Sequence, residues 1–151
     1  RLRTAPPSPD LGFVIRDGDG GPVASLRFWP VTVDDAIPAL LLGPLVVAPK
    51  HQGAGLGKWL VGHGLDQVTA DDWRLCLVVG APSYYAPHGF EPATPWDLAL
   101  PGPVDSERFQ IRALGDNELH AVLPAGAKVV QPWRWVRRGR LSDVTEPPLA
   151  A

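Results

Sequence analysis

An α/β fold built on one mixed sheet is what this sequence predicts, and three observations carry that expectation. Residues 39–79 run as apolar strand, glycine-rich loop, helix and apolar strand, the order of a βαβ unit whose two strands lie parallel. Ahead of them, DGDGG at residues 17–21 separates two strand-like runs, a hairpin signal. The 151 residues, 45% hydrophobic and 20% charged, suffice for one core of ordinary globular composition and not for two.

Taken in order, residues 1–10 read as the frayed end of a preceding element followed by a loop, and residues 12–16 (GFVIR) as a strand. The return strand, residues 22–33, alternates through Val23, Ser25, Arg27 and Trp29, and residues 34–38 connect it to the next element. Residues 39–47 (ALLLGPLVV) form the most apolar strand. Gly43-Pro44 inside it predicts a bulge or a one-sided break, because proline has no N–H to give to a ladder. A helix follows over residues 56–69, with Leu56, Leu60, Leu65 and Val68 on one stripe and Trp59 beside it. Gly62 and Gly64 each weaken that helix by about 1 kcal/mol relative to alanine, and close approach to the sheet is one reason to keep them. Asp71-Asp72 ends this unit and residues 74–79 (RLCLVV) return to the sheet. A short helix or turn is expected over residues 83–88. Strands are expected over 109–113 and 127–130, with a helical stretch at 116–122 between them. The domain is expected to span residues 1–135, leaving 136–151 as a loose, Pro-rich tail.

The formal charge of −2 supplies no general attraction to nucleic acid or to acidic membranes, and no apolar run reaches the roughly 20 residues that span a bilayer. Trp133, Arg134, Trp135, Arg137, Arg138 and Arg140 alternate aromatic and basic groups, a pattern that suits nucleic acid. An edge strand with a solvated basic end explains it more simply. Cys76 is the only cysteine, which excludes an intrachain disulfide and agrees with a reducing, cytoplasmic setting; its neighbours RLCLVVG mark a buried structural thiol. The chain has no methionine, so a processed or truncated form of a longer protein is expected.

The seven residues HQGAGLG (51–57) lie where the apolar strand meets the helix. Glycines there expose backbone N–H groups with no Cβ in the way, and the positive end of the helix dipole adds to them, so a phosphate fits. A tight strand-to-helix turn that needs glycine for its φ and ψ explains the same residues. The spacing G-x-x-x-x-G-K-[ST] is absent, as is G-x-G-x-x-G with its downstream acid, so neither a P-loop nor a dinucleotide fingerprint is present. By itself the loop predicts an anion site.

Two motifs together go further. The stretch LGPLVVAPKHQGAGLGKWL resembles the acetyl-coenzyme A loop of the GNAT superfamily of N-acetyltransferases, whose Gln/Arg-x-x-Gly-x-Gly/Ala pattern is met by Gln52, Gly55 and Gly57. Downstream, APSYYAPHGFEPA is similar to the family's tyrosine-bearing short helix followed by Gly-Phe, here Tyr84-Tyr85 and Gly89-Phe90. The likeness is greatest to a small bacterial branch with LGPL-V-P, Q-G-x-G-x-G and YY-x-x-x-GF, and it covers residues from about 11 to about 101. Three departures stand out. Elements that members place ahead of the first hairpin are expected to precede Arg1 and are missing from this chain. His88 replaces a residue that is often apolar, and no acid lies on residues 39–47 where many members place a general base.

The resemblance implies an α+β fold with a splayed central sheet flanked by helices. It implies an N-acetyltransferase that moves acetyl from acetyl-coenzyme A to a primary amine by direct attack. Backbone groups of Leu45, Val46 and Val47 would pair with the pantetheine arm. Gln52, Gly53, Ala54, Gly55, Leu56, Gly57 and Lys58 would hold the pyrophosphate, and Ser83 would bond the arm from the other side. Tyr85 would protonate the departing thiolate, with Tyr84 as the alternative donor. A packed aromatic is the plainer account of Tyr85. His51 or His88 could relay the proton of the amine, though a surface histidine accounts for each. No metal is implied. The expected partner is a small-molecule or peptide amine, with no nucleic acid and no membrane, and a homodimer is left open. The alternative is a coenzyme A-binding module without turnover, a sensor or partner surface. A weaker third reading is an unrelated domain whose loop holds another phosphate ligand.

Overall fold

The computed structural model describes residues 2–3, 9–69 and 73–132. The expectations for Asp71-Asp72, for the Trp133–Arg140 stretch and for the tail fall outside these residues. Among the described residues eight strands form one sheet. They are β1 (Gly12–Arg16), β2 (Pro22–Val33), β3 (Ile37–Val47), β4 (Leu75–Val79), β5 (Glu91–Pro92), β6 (Leu98–Ala99), β7 (Phe109–Ala113) and β8 (Lys128–Pro132). Three helices accompany them, α1 (Leu56–Val68), α2 (Pro82–Tyr85) and α3 (Leu119–Val122). The sheet order is β5-β7-β4-β3-β2-β8-β6, and β1 also lies on β2, beside its N-terminal half, while β8 takes the C-terminal half of the same strand. No helix among the described residues is long and apolar enough to cross a membrane.

The β1–β2 hairpin closes as its glycines predict. Asp17 Oδ1 accepts the N–H groups of Asp19 (3.0 Å) and Gly21 (2.9 Å), and Gly20 takes the left-handed conformation at φ +83. The β2–β3 turn is tighter than a five-residue connection: Asp34 and Asp35 are both left-handed (φ +52 and +55), and the Ala36 N–H reaches the Val33 carbonyl at 3.1 Å. Two such residues make the mirror-image turn that suits strand twist, and aspartate tolerates it because its short side chain bonds nearby backbone. Asp34 also recruits β8, since its N–H donates to the Val129 carbonyl (2.9 Å) and its Oδ1 accepts the Val129 N–H (2.7 Å).

The expected βαβ unit is present: β3 and β4 pair in parallel, Ala39 with Leu75 through Leu42 with Val78, and α1 crosses between them. Where they pair, both strands are buried on both faces, and their side chains alternate between two cores. Leu40, Leu42, Cys76 and Val78 join Leu26 and Phe28 beneath Leu60, Val61, Leu65 and Val68 of α1. On the opposite face Ala39, Leu41, Leu75 and Leu77 meet Ile111, Leu119, Leu123 and Val130. Short β5 and β6 carry too few residues for a period to show, and the sequence did not announce them. The helix expected over residues 116–122 is reduced to the single turn of α3.

The glycines of α1 serve different ends. A Cβ at Gly64 would lie 2.9 Å from both Leu26 Cδ2 and Phe28 Cε2, so this residue lets the helix settle onto β2; at Gly62 the nearest atom, His88 Cε1, is 4.0 Å away. Gly64→Ala is therefore expected to destabilise the fold by about 1–2 kcal/mol net, overpacking exceeding the helix-propensity gain because Leu26 and Phe28 are themselves buried. Gly62→Ala is expected to gain up to about 1 kcal/mol. Urea midpoints of the two variants check the pair, and shifts of the same sign would refute the distinction.

Candidate active site

Beyond Leu42 and Val78 the two central strands part. Among the described residues β3 continues to Val47 bonded only to β2, while β4 stays with β7 and its successor Gly80 donates its N–H to the Arg108 carbonyl at 2.9 Å. The cause is local. Between the pairs Leu26–Leu45 and Phe28–Leu42, two residues of β3, Gly43 and Pro44, oppose the single Arg27 of β2. That is the bulge the sequence predicts, with a cis Gly43-Pro44 peptide and Gly43 at φ +129. Pro44 has no N–H to extend a ladder toward β4. The gap is a cleft of about 760 Å³, walled by Leu45 and Val47 on one side and by Val79, Gly80 and Ala81 on the other.

The glycine loop also lines the cleft. Gly53 and Gly55 are left-handed (φ +83 and +81), a Cβ on either would meet nothing within 4 Å, and Gly55 caps α1 with no side-chain hydrogen bond. The first N–H groups of α1 therefore have neither an intrahelical nor a side-chain acceptor, which leaves an array of donors at the positive end of a 13-residue helix. Lys58 adds a full charge in the first turn. Gln52 ties the loop to the strand, its Nε2 donating to the Val47 carbonyl at 3.1 Å. His51 lines the same cleft, and its buried Nε2 has no hydrogen-bond partner among the described residues.

Two tyrosines approach from α2, which starts with Pro82 as its first residue. Tyr84 reaches across to the helix start, where a Cβ on Gly57 would sit 2.5 Å from its hydroxyl. The Tyr85 ring lies on Gly80, so close that a Cβ there would overlap its Cε2, and packs edge-on against Tyr84 (5.0 Å) and Phe90 (5.7 Å). Burial raises the pKa of both phenols above the usual value near 10; at Tyr85 the neighbouring Tyr84 and Cys76 raise it further while Arg108 works the other way. Both phenols are thus protonated near neutrality and can donate a proton into the cleft.

The structure gathers Leu45, Val47, Gln52, Gly53, Gly55, Leu56, Gly57, Lys58 and Tyr85 around one cleft, with Tyr84 and His51. Val46 lies on the outward face of β3 and is half-exposed, and Ala54 and Ser83 are exposed away from the cleft lining. His88 instead faces a second hollow with Arg112, whose Nη1 donates to the His88 carbonyl at 2.6 Å; burial first, then Arg112 and Lys58, lower its pKa, so it is neutral at pH 7. Sequence reasoning did not single out Gly80, Arg108 or Arg3. Gly80 closes an apolar strand and was legible in principle as a close approach, whereas no pattern marks either arginine.

The chain is similar to known proteins in sequence and in fold. A family model described as an acetyltransferase (GNAT) domain matches residues 9–92. YhbS of Escherichia coli K12, named as an uncharacterized N-acetyltransferase, is 33% identical over 113 residues, 74% of this chain and 68% of that protein. The crystal structure of E. coli YhbS in complex with CoA superposes with a TM-score of 0.68 at 31% identity, over 78% of this chain and 65% of that one. A GNAT family acetyltransferase from Brucella melitensis in complex with acetyl-CoA gives 0.58 at 28% identity, covering 78% and 63%. The chain thus spans about two thirds of the length of these relatives.

Tyr84 and Tyr85 are the only tyrosines, so an alkaline absorbance titration reads both directly. In the folded protein both are expected to ionise above the midpoint near 10 found in denaturant. The fold holds these protons more tightly than the unfolded chain does. Their contribution to stability is therefore complete below about pH 10 and lost as the pH rises through the folded values. A folded midpoint at or below the denatured one would refute the burial account.

Proposed function

Because this chain belongs to the GNAT family of acetyltransferases, we propose that it binds acetyl-coenzyme A in the β3–β4 cleft and transfers the acetyl group to a primary amine. The observation that carries the proposal is the parting of the two parallel strands directly beside an uncapped helix N-terminus. One feature offers a free strand edge and the other a set of phosphate donors, and a coenzyme A molecule needs both. The residues present fit it. The β3 edge at Leu45 and Val47 can bond the amides of the pantetheine arm; N–H groups from Gly53 to Lys58 and the Lys58 ammonium can take the pyrophosphate. Gln52 would act by holding the loop on Val47, and the unpartnered His51 Nε2 is a further group for a coenzyme oxygen.

Acetyl-coenzyme A supplies an activated thioester, and the protein aligns an amine with it. The amine nitrogen forms a bond to the acetyl carbon and the carbon–sulfur bond breaks. The phenol of Tyr85 gives its proton to the departing thiolate and is reprotonated from solvent as the amine loses its own proton. A phenol above pKa 10 is a weaker acid than the thiol it makes, so close contact in a dry cleft must drive the transfer. Alignment supplies much of the remaining rate. No carboxylate lines the cleft among the described residues, so the amine reaches it already neutral or gives its proton to water or to His51. The lack of a carboxylate base favours the second reading, a coenzyme A-binding module without turnover. A reducing compartment such as the cytoplasm suits a chain whose one thiol is buried.

Calorimetry with acetyl-coenzyme A, followed by thiol release with an amine panel, tests the proposal. Micromolar binding is expected, and Gly55→Val should weaken it at least about tenfold by forcing a β-branched residue into the left-handed region. Tyr85→Phe should keep coenzyme affinity within about threefold and lower kcat by about a hundredfold or more. Binding with no turnover by the original protein would establish the module, and no binding would overturn both readings.

A further inference from the structure

Six arginines lie among the described residues, and four of them are engaged within the protein. Arg16 donates to the Gly20 carbonyl, Arg27 stacks over the Trp29 ring, Arg74 bonds Asn117 and Arg112 bonds the carbonyls of His88 and Ala113. The other two, Arg3 and Arg108, make no ion pair or side-chain hydrogen bond with described residues, and both line the acetyl-transfer cleft. Their positions in it are specific. The Arg3 Nη2 lies 3.5 Å from where a Cβ on Gly43 would be, at the point where β3 leaves β4. Arg108 is held to Gly80 through its carbonyl, just past the end of β4, and its charge acts on the Tyr85 phenol. Both therefore line the cleft where the strands part, Arg108 by the proposed proton donor, and both remain exposed to solvent. The phosphate donors of the glycine loop lie beyond Val47, four residues or about 13 Å farther along the strand.

A guanidinium in a cleft is a fork of donors that matches a planar or tetrahedral oxyanion, and two of them in a cleft that no carboxylate of the described residues lines repel a polycation. From this pairing we infer that the acceptor is a small amine that also carries an anionic oxygen group, a carboxylate or a phosphate, held by Arg3 and Arg108 while its nitrogen faces the thioester. Polyamines and other polycationic amines are selected against. This substrate class rests on the transferase reading above and refines it.

The test compares, by thiol release from acetyl-coenzyme A, β-alanine with its carboxamide, aminoethyl phosphate with ethanolamine, and spermidine. At least one anionic amine is expected to exceed its neutral counterpart about ten- to a hundredfold in kcat/KM, with spermidine poorest, and whichever anion wins identifies carboxylate or phosphate. In Arg3→Gln and Arg108→Gln that ratio should fall toward one through a rise in KM, with partial retention in the lysine variants. Their affinity for acetyl-coenzyme A should stay within about threefold. Equal rates for charged and neutral partners, or preference for spermidine, overturn the assignment while leaving the transferase reading intact. A tenfold loss of coenzyme affinity overturns it by giving the arginines to the coenzyme phosphates. An equal fall in kcat for charged and neutral amines overturns it by assigning Arg108 to Tyr85 alone. Coenzyme binding without transfer to any amine overturns the transferase reading and this class with it.

Discussion

The constraint on which the rest depends is the mismatch of two residues against one where Gly43-Pro44 faces Arg27. A parallel pair buried on both faces has every reason to continue, because each further residue adds a ladder hydrogen bond and apolar burial. The bulge ends that continuation at one place. β3 bends away with β2, β4 stays with β7, and the walls of the cleft become the inner edges of two half-sheets. Both halves are anchored in the same two cores, one on each face of the sheet, where β3 and β4 still pair.

Packing distances then position the chemical groups. Glycines at three sites set how near one element comes to another: Gly64 brings α1 down onto Leu26 and Phe28, Gly57 brings the Tyr84 hydroxyl to the helix start, and Gly80 seats the Tyr85 ring. These contacts differ in kind from the backbone freedom used at Gly53 and Gly55. The first group is about space and the second about φ. Together they place a phenol, a strand edge and an uncapped helix around one volume, and the low local dielectric that raises the phenols also strengthens whatever hydrogen bonds form there.

Much of this was legible in the sequence. Runs of seven or more residues with a clear period, such as Pro22–Val33, Leu56–Val68 and the apolar segment around β3, declared themselves, and Gly-Pro inside an apolar run announced its bulge. The loop and the tyrosine helix carried their own spacing. What stayed hidden has a physical reason. β5 and β6 are two residues each and exist only because β7 and β8 offer them an edge. The Asp34-Asp35 turn uses aspartate where a hairpin more often shows glycine or asparagine. Arg3 and Arg108 come together from positions 105 residues apart, through tertiary placement that no local pattern encodes. Gln52 fits the motif, yet its amide holds the loop to the strand, a geometry its spacing alone does not distinguish from direct contact with a phosphate.

The bare edge of β3 has one more implication, for colloidal behaviour. An unpaired strand edge is a template on which another chain can add, and most proteins cover theirs or break them. Here the cleft keeps an edge of β3 unpaired among the described residues. Pro44 removes one donor from it, the recess between the half-sheets hides it, and the cations of Arg3, Arg108 and Lys58 surround it. The cations that would receive a small anionic ligand on the proposed reading thereby also make the cleft a poor landing site for a stray β-strand.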